Sequence, residues 1–459
     1  MDIRKLLNDG SDAEIYSTLK NKKSKVKFGW DKLSRQYDST CHPVNDPNER
    51  PDKHRKGQPD EKVSRIHLEL EKLITSRMVE FMFATPVKRI YSYDENDSIL
   101  NEIVKAIESV YVRNRIDTEN LKRARGLFAS CEMATQWFPV KLKTPTNIYG
   151  IERSKYKFKT RSFSPMDGYD LYPLFDEQGD MVAMSVEYKA DDDSRVMETF
   201  TEDKHLFFKN GIKEVDETNL LGKIPFVYAW RKLPIWDGVQ HLVNELEMTL
   251  SRNSDVIAYN ASPILVVSGE LNGTENKGSG KRMYKVENGG SVNYVSWNQS
   301  IEAVKSQVDN LLRLIWMTVQ LPDLSFENIK GLGAVSGEAR KTLLTDAHLK
   351  VGDEKGVFLG RVGGDVLERR VANPKWAGRM DEIEVEHVIT PFIQNDEMAE
   401  VQKWLLANGG KPVVSQLEAI KLLGMSADPN NTYEQIRKEA QEDAGLQASM
   451  FETKIEDVE

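Results

Sequence analysis

Hydrophobic and polar positions change period several times along the chain, and each change marks a boundary. Between residues 61 and 85, Val63, Ile66, Leu70, Leu73, Ile74 and Phe81 recur at helical spacing, and Ala84-Thr85-Pro86 stops the helix they predict. Val87 to Tyr93 then reads as a strand. Two helices follow, one from about Ser98 to Val112, the other after Asp117 as expected N-cap and on to about Ala134. From 135 to 230 the period drops to two. Met181 to Tyr188, Val196 to Phe200 and Asp203 to Phe208 alternate as antiparallel strands, the last leading into the turn Asn210-Gly211.

After Pro234 the helical period returns. Val239, Leu242, Leu246, Leu250 and Ile257 share one face of a helix that ends before Pro263. Ile264 to Val267 predicts a strand and Gly269 to Gly280 a loop. Met283 to Glu287 and Ser291 to Trp297 predict a hairpin about Asn288-Gly289-Gly290. A second amphipathic helix, about 300 to 320, carries Ile301, Val304, Val308, Leu311 or Leu312, and Ile315. Two long helices thus bracket a small β module. Alone, they would expose half-apolar faces, and such patches mark a partner.

Residues 321–336 read as a loop, and a long helix is expected from Ser336 to about Ala372. Gly352, Gly356, Gly360 and Gly364 recur inside it. Each costs about 1 kcal/mol against Ala, so the helix is closely approached by another, kinked, or broken in two. From Glu384 come a strand-like piece, a helix around 396–407, the turn Asn408-Gly409-Gly410, and a helix capped by Ser415 with Leu417, Ile420 and Leu423 on its apolar side. Residues 1–60 read as a short helix and a long arm bearing Lys20, Lys22, Lys23, Lys25 and Lys27, either solvated or touching DNA or an acidic neighbour, the solvated arm being the default. The fold class is α+β.

The 459 residues allow two to four regions. No apolar run reaches the length of about 18 residues that a membrane span needs, and the start has no apolar leader. Two cysteines, Cys41 and Cys131, suit a reducing compartment. The net charge is −9, and residues 381–459 hold 17 acidic and 6 basic residues, so the rest sums to about +2. Tight DNA binders are usually basic, so an ordinary DNA-binding domain is not expected. A surface that DNA slides past is compatible with this balance.

Candidate catalytic chemistry is missing. Lys281 follows Gly278-Ser279-Gly280, but Glu275 stands where a phosphate loop needs its first glycine, and Arg282 replaces the required Ser or Thr. Gly331-Leu332-Gly333 has no strand before it to make a dinucleotide loop. The seven histidines are scattered without metal-ligand spacing, and Asp191-Asp192-Asp193 reads as a charged turn. No enzyme, cofactor or metal is expected.

Several segments, in order, resemble the portal proteins of tailed bacteriophages, in the compact siphovirus-like branch. They are Ile66 to Val87, Asn120 to Ala134, Lys223-Ile224-Pro225-Phe226-Val227, Gly238 to Leu250 with Asn253 and Asp255, Pro263 to Gly269, Pro322-Asp323, and Ser336-Gly337-Glu338-Ala339. The resemblance covers about residues 55–440. It implies a ring, usually of twelve copies, built from an N-terminal arm (1–54) and the first part of a wing (55–233). A stem helix (234–262), a clip (263–299) and a second stem helix (300–321) would follow. Residues 322–395 would hold a tunnel loop, a long helix and the rest of the wing, and 396–459 a crown with an acidic tail. The tunnel loop, Asn328, Ile329, Lys330, Gly331, Leu332, Gly333, Ala334 and Val335, would line the DNA channel. Lys277, Lys281, Arg282 and Lys285 in the clip would touch DNA or acidic partners, or else form a plain solvated loop. Implied partners are other copies of the chain, the terminase large subunit, major capsid and scaffolding proteins, head–tail connectors, and double-stranded DNA read without sequence preference. The place would be the portal vertex of the virion, after synthesis in the host cytoplasm. Alternatives are another head–tail connector ring or a nucleic-acid-processing phage enzyme. Two features depart from the pattern: Lys141 to Thr160 is long and basic, and the crown is short.

Overall fold

A computed structural model describes residues 6–7, 9–21, 26–54, 60–219, 221–260, 264–268, 271–276, 282–286, 291–295, 301–323, 344–362, 376, 378–379, 382–391, 415–423 and 430–442. They fall into two units, Met1–Gly333 with Thr342–Phe392, and Ala334–Lys341 with Ile393–Glu459. The first unit begins with α1 (Asp12–Lys20), α2 (Trp30–Tyr37), α3 (Leu70–Phe83), β1 (Lys88–Ser92), α4 (Ser98–Arg113) and α5 (Ile116–Ser130). Strands β2 (Glu132–Ile148), β3 (Ile151–Phe163), β4 (Asp170–Phe175), β5 (Met181–Lys189), β6 (Arg195–Thr201), β7 (Lys204–Lys209), β8 (Ile212–Thr218) and β9 (Phe226–Trp230) follow. Then come α6 (Gln240–Asn260), β10 (Ile264–Ser268), β11 (Leu271–Asn276), β12 (Arg282–Val286), β13 (Ser291–Val295), α7 (Ile301–Val319), α8 (Thr345–Val362) and β14 (Glu384–Val388). The second unit holds α9 (Gln416–Leu423) and a helix over 430–442. This is the mixed helix and sheet that the periodicity predicts.

Helix α4 keeps its expected extent to within a residue, and Leu100, Ile103, Val104, Ile107, Val110 and Tyr111 form its buried face. Asp97 caps it, accepting from the Ile99 and Leu100 N–H groups at 2.8 and 3.3 Å. The cap expected at Asp117 is not one. Helix α5 starts at Ile116, behind Arg115 in a left-handed conformation, and Asp117 in its first turn pairs with Arg89 at 3.0 Å. Gly126 on α5 permits a close approach, since a Cβ there would lie 3.0 Å from Ser164 Cβ.

The sheets are antiparallel. Strands β4 to β8 form a meander in chain order, and a three-stranded sheet runs β3-β2-β9. One face of the meander (Ala183, Met197, Leu206, Phe208) carries α1 through Ile15 and Leu19, together with Leu7 ahead of it. The other (Met184, Val186, Phe200) packs on Ala134, Phe163, Phe226 and Tyr228 of the three-stranded sheet. Asn210 and Gly211, both at positive φ, make the predicted turn between β7 and β8. Strands β1 and β14 pair separately.

Residues 1–54 are not a solvated arm. Lys20 pairs with buried Glu187 at 2.9 Å. Leu33 is 0% exposed in the main core, beside Val79, Leu127, Trp236 and Leu246. The apolar positions of this segment sit in helices of eight or nine residues, too short to display a period. Lys22, Lys23 and Lys25 lie outside the described residues.

The β module also differs from its reading. Strand β12 pairs with β11, not β13, and β13 pairs with β10. The segment read as a glycine-rich loop supplies β11, with an irregularity in register between Leu271 and Gly273. Nesting one pair inside the other lets the strand next to each long helix pair with its counterpart. Helix α8 runs unbroken through Gly352, Gly356 and Gly360, and among the described residues a Cβ at Gly352 would meet nothing within 4 Å. The expected start at Ser336, Gly364 and the helix at 396–407 lie outside the described residues. Ser415 caps α9 as read, its Oγ accepting from the Glu418 N–H at 3.2 Å.

Candidate channel and docking elements

Helices α6 and α7 form an antiparallel pair. Near one end a Cβ on Gly238 would lie 3.7 Å from Thr318, and farther along Gln307 donates to Thr249 at 3.5 Å. The root is in the core: Trp236, Val239, Val243 and Leu246 enter from one side, Ile315, Val319 and Leu321 from the other. Away from the root the faces open. Ile257 is 60% exposed, and most of 302–310 is exposed too; at the root itself only Met317, 62% exposed, turns outward among Ile315, Met317 and Val319. The pair leads into β10–β13.

An extended strand of chain lies along α6 as a strap. The Leu68, Ile66 and Ser64 N–H groups donate to Glu247 Oε1 (2.7 Å), Ser251 Oγ (2.9 Å) and Asp255 Oδ1 (2.7 Å). Two residues of extended chain advance about 6.7 Å and four residues of helix about 6 Å, so one acceptor per helical turn meets every second amide. Arg50 closes the outer end, donating to Asp255 Oδ2 at 2.7 Å.

The inner end is a buried charged cluster. His42 Nδ1 donates to Glu247 Oε1 at 2.8 Å and Nε2 to the Gln36 carbonyl at 2.7 Å, with Glu71 Oε2 3.9 Å away. Burial alone would lower the His42 pKa. The hydrogen bonds to Glu247 and Gln36 and the charges of both carboxylates raise it to about 9. Burial raises Glu71 to about 7.

At the other root, α7 ends with Gln320 at φ 55°, whose N–H donates to the Met317 carbonyl while the Leu321 N–H donates to Trp316. Lys350 of α8 donates to the Val319 carbonyl, and burial lowers its amine to about 8. Arg231, just after β9, and Glu354 on α8 form a mostly buried pair at 2.6 Å. Both helices of the projecting pair are thus fixed by polar contacts to distant segments.

The proposed channel residues Asn328, Ile329, Lys330, Gly331, Leu332, Gly333, Ala334 and Val335 lie outside the described residues, as do Lys277 and Lys281. Arg282 stands opposite Asn276 and Lys285 opposite Gly273 in the β11–β12 pair. The His42 cluster escaped sequence reasoning, and the strap differs from its reading: Val63 and Ile66, expected on a helical face, lie in extended chain, because α3 begins only at Leu70. Their one visible trace is Glu247, Ser251 and Asp255 at helical spacing. Among the described residues no group of three or more His, Cys, Asp or Glu could hold a metal, and no helix is long and apolar enough to cross a membrane.

Residues 18–446 match the family of phage portal proteins, SPP1 Gp6-like. The chain belongs to that family. Among solved structures, it is similar to a chain from "Virion of native gene transfer agent (GTA) particle", with 13% identity over 86% of this chain and 93% of that one, TM-score 0.35. It is also similar to one from "Neck of native GTA particle computed with C12 symmetry", with 12% identity over the same shares and TM-score 0.38. No curated protein matches it. Membership of the portal family spans both units, so it covers the projecting helix pair, the β module and the tail together.

Proposed function

We propose that the chain is the portal subunit of a tailed bacteriophage, one of about twelve in a ring at a single capsid vertex through which DNA is packaged and ejected. The observation that carries this reading is the family match over residues 18–446, which takes in every described element from β1 to α9. The pair α6–α7 is the stem. Its exposed Ile257, Leu314 and Met317 are covered by neighbouring copies through a heterologous contact that closes. Strands β10–β13 are the clip, which meets the terminase large subunit during packaging and connector proteins afterwards. Asn328 to Val335 form the tunnel loop, and 396–459 the crown. Scaffolding and major capsid proteins surround the wing. The role is structural, in the virion, and ATP is hydrolysed by the motor.

The test is replacement of 264–295 by a short Gly/Ser linker. Rings should persist and capture of purified terminase large subunit should be lost. Capture at the wild-type level would remove the clip assignment.

A further inference from the structure

The long basic segment marked in the sequence is the hairpin of β2 and β3, which lies within the proposed wing and has no role of its own in the portal reading. Strand β9 pairs with β2 only from Glu132 to Gln136. Beyond that the two strands continue as a ribbon, closed by Tyr149 and Gly150, both at positive φ. One face is docked. Trp137, Tyr149 and Phe158 are buried against Ile107, Val110 and Tyr111 of α4, and Asn114 donates to the Phe158 carbonyl at 3.2 Å. Alternate residues of β3 point away from that face: Lys155, Lys159 and Arg161 are exposed and Lys157 half-buried. Successive members lie about 6.7 Å apart.

Lys141 to Arg161 contains seven basic residues and one acidic, a net of +6, while the remainder of the chain carries −15. Arg161 is engaged, donating to the Tyr169 hydroxyl at 3.0 Å and lying over the Phe163 ring. Lys155, Lys157 and Lys159 form no ion pair among the described residues. We infer that this lysine stripe is a docking surface for double-stranded DNA outside the channel, holding phosphates without reading bases. The inference rests on the portal reading, which puts the chain beside packaged DNA.

Chemistry favours DNA over a protein partner. Protein interfaces are depleted in lysine and enriched in arginine and aromatic residues. Ammonium groups on a regular repeat neutralise phosphates whatever the sequence. Docking on α4 fixes the ribbon, so little ordering is needed on binding.

The test uses the full-length protein and a short mixed-sequence duplex, followed by fluorescence anisotropy across a salt series. K155Q/K157Q/K159Q should bind about tenfold or more weakly near 0.1 M salt, with the slope of log affinity against log salt reduced by about 2–3. K155R/K157R/K159R should bind like wild type. The charge-matched K105Q/K122Q/K438Q, altered at exposed lysines elsewhere, should lose less than twofold. Equal loss in that control would show bulk charge alone and overturn the inference. So would an unchanged affinity in the glutamine triple, or no duplex binding by wild type. Rings seen by electron microscopy for all variants separate these outcomes from a failure of the portal reading.

Discussion

Replacing His42 by asparagine removes the cation from the buried anchor of α6. The imidazole is 1% exposed, 2.8 Å from Glu247 and 3.9 Å from Glu71. Its pKa is about 9 in the fold and about 6.5 in an unfolded chain, a displacement corresponding to about 3 kcal/mol. Because the folded value is raised, this stabilisation is complete below about pH 6.5 and is lost as pH climbs through about 9. Glu71 acts in the same sense. Buried, it titrates at about 7 rather than 4.5, so the fold holds a proton that the unfolded chain has released, and stability falls across that interval too. Urea unfolding of the full chain should show stability falling by about 3 kcal/mol between about pH 6.5 and 9. H42N should lack this slope. Near neutral pH it should be about 3–5 kcal/mol less stable, because Glu247 is left buried without its partner. Amide exchange at Leu68, held by Glu247, should quicken in parallel. A wild-type curve flat or rising over that window, or a variant that keeps the slope, would refute the assignment.

Three further outcomes are expected. E354Q leaves Arg231 mostly buried without its carboxylate and should cost about 3–5 kcal/mol, read as a lowered melting temperature. G126A pushes a methyl to 3.0 Å from Ser164 and should cost about 1–3 kcal/mol by overpacking, measured by urea unfolding. D255A opens the outer rung of the strap, so exchange should quicken at the Ser64 amide and stay unchanged at Leu68. Uniform exchange across both would mean that the strap detaches as one piece.

Local signals carried much of the fold. The extent of α4, the Asn210-Gly211 turn and the amphipathic pair α6 and α7 are all legible locally, because each is decided by residues within a few positions of one another. The hairpin tip did not show, since Tyr149 occupies a turn position that usually takes Asn or Gly. It is held there by burial and by its hydroxyl, which accepts from the Phe158 N–H at 3.1 Å. The clip pairing did not show either, because Leu271 to Asn276 contains Asn and Gly, poor strand formers, and is a strand only through its partner. The anchor of the stem was least visible of all. His42 meets Glu247, and Leu68, Ile66 and Ser64 meet α6, across about 180–205 positions of sequence. A buried histidine and three polar helix positions look like ordinary surface until that strap is laid beside them.

The most direct measurement is electron microscopy of the purified protein, with class averages viewed down the particle axis. A portal subunit should give rings with a central hole and about twelve-fold symmetry, the stem and clip projecting as a narrower collar. Compact monomers or dimers with a closed cleft, and no ring under any assembly condition including added scaffolding protein, would contradict it.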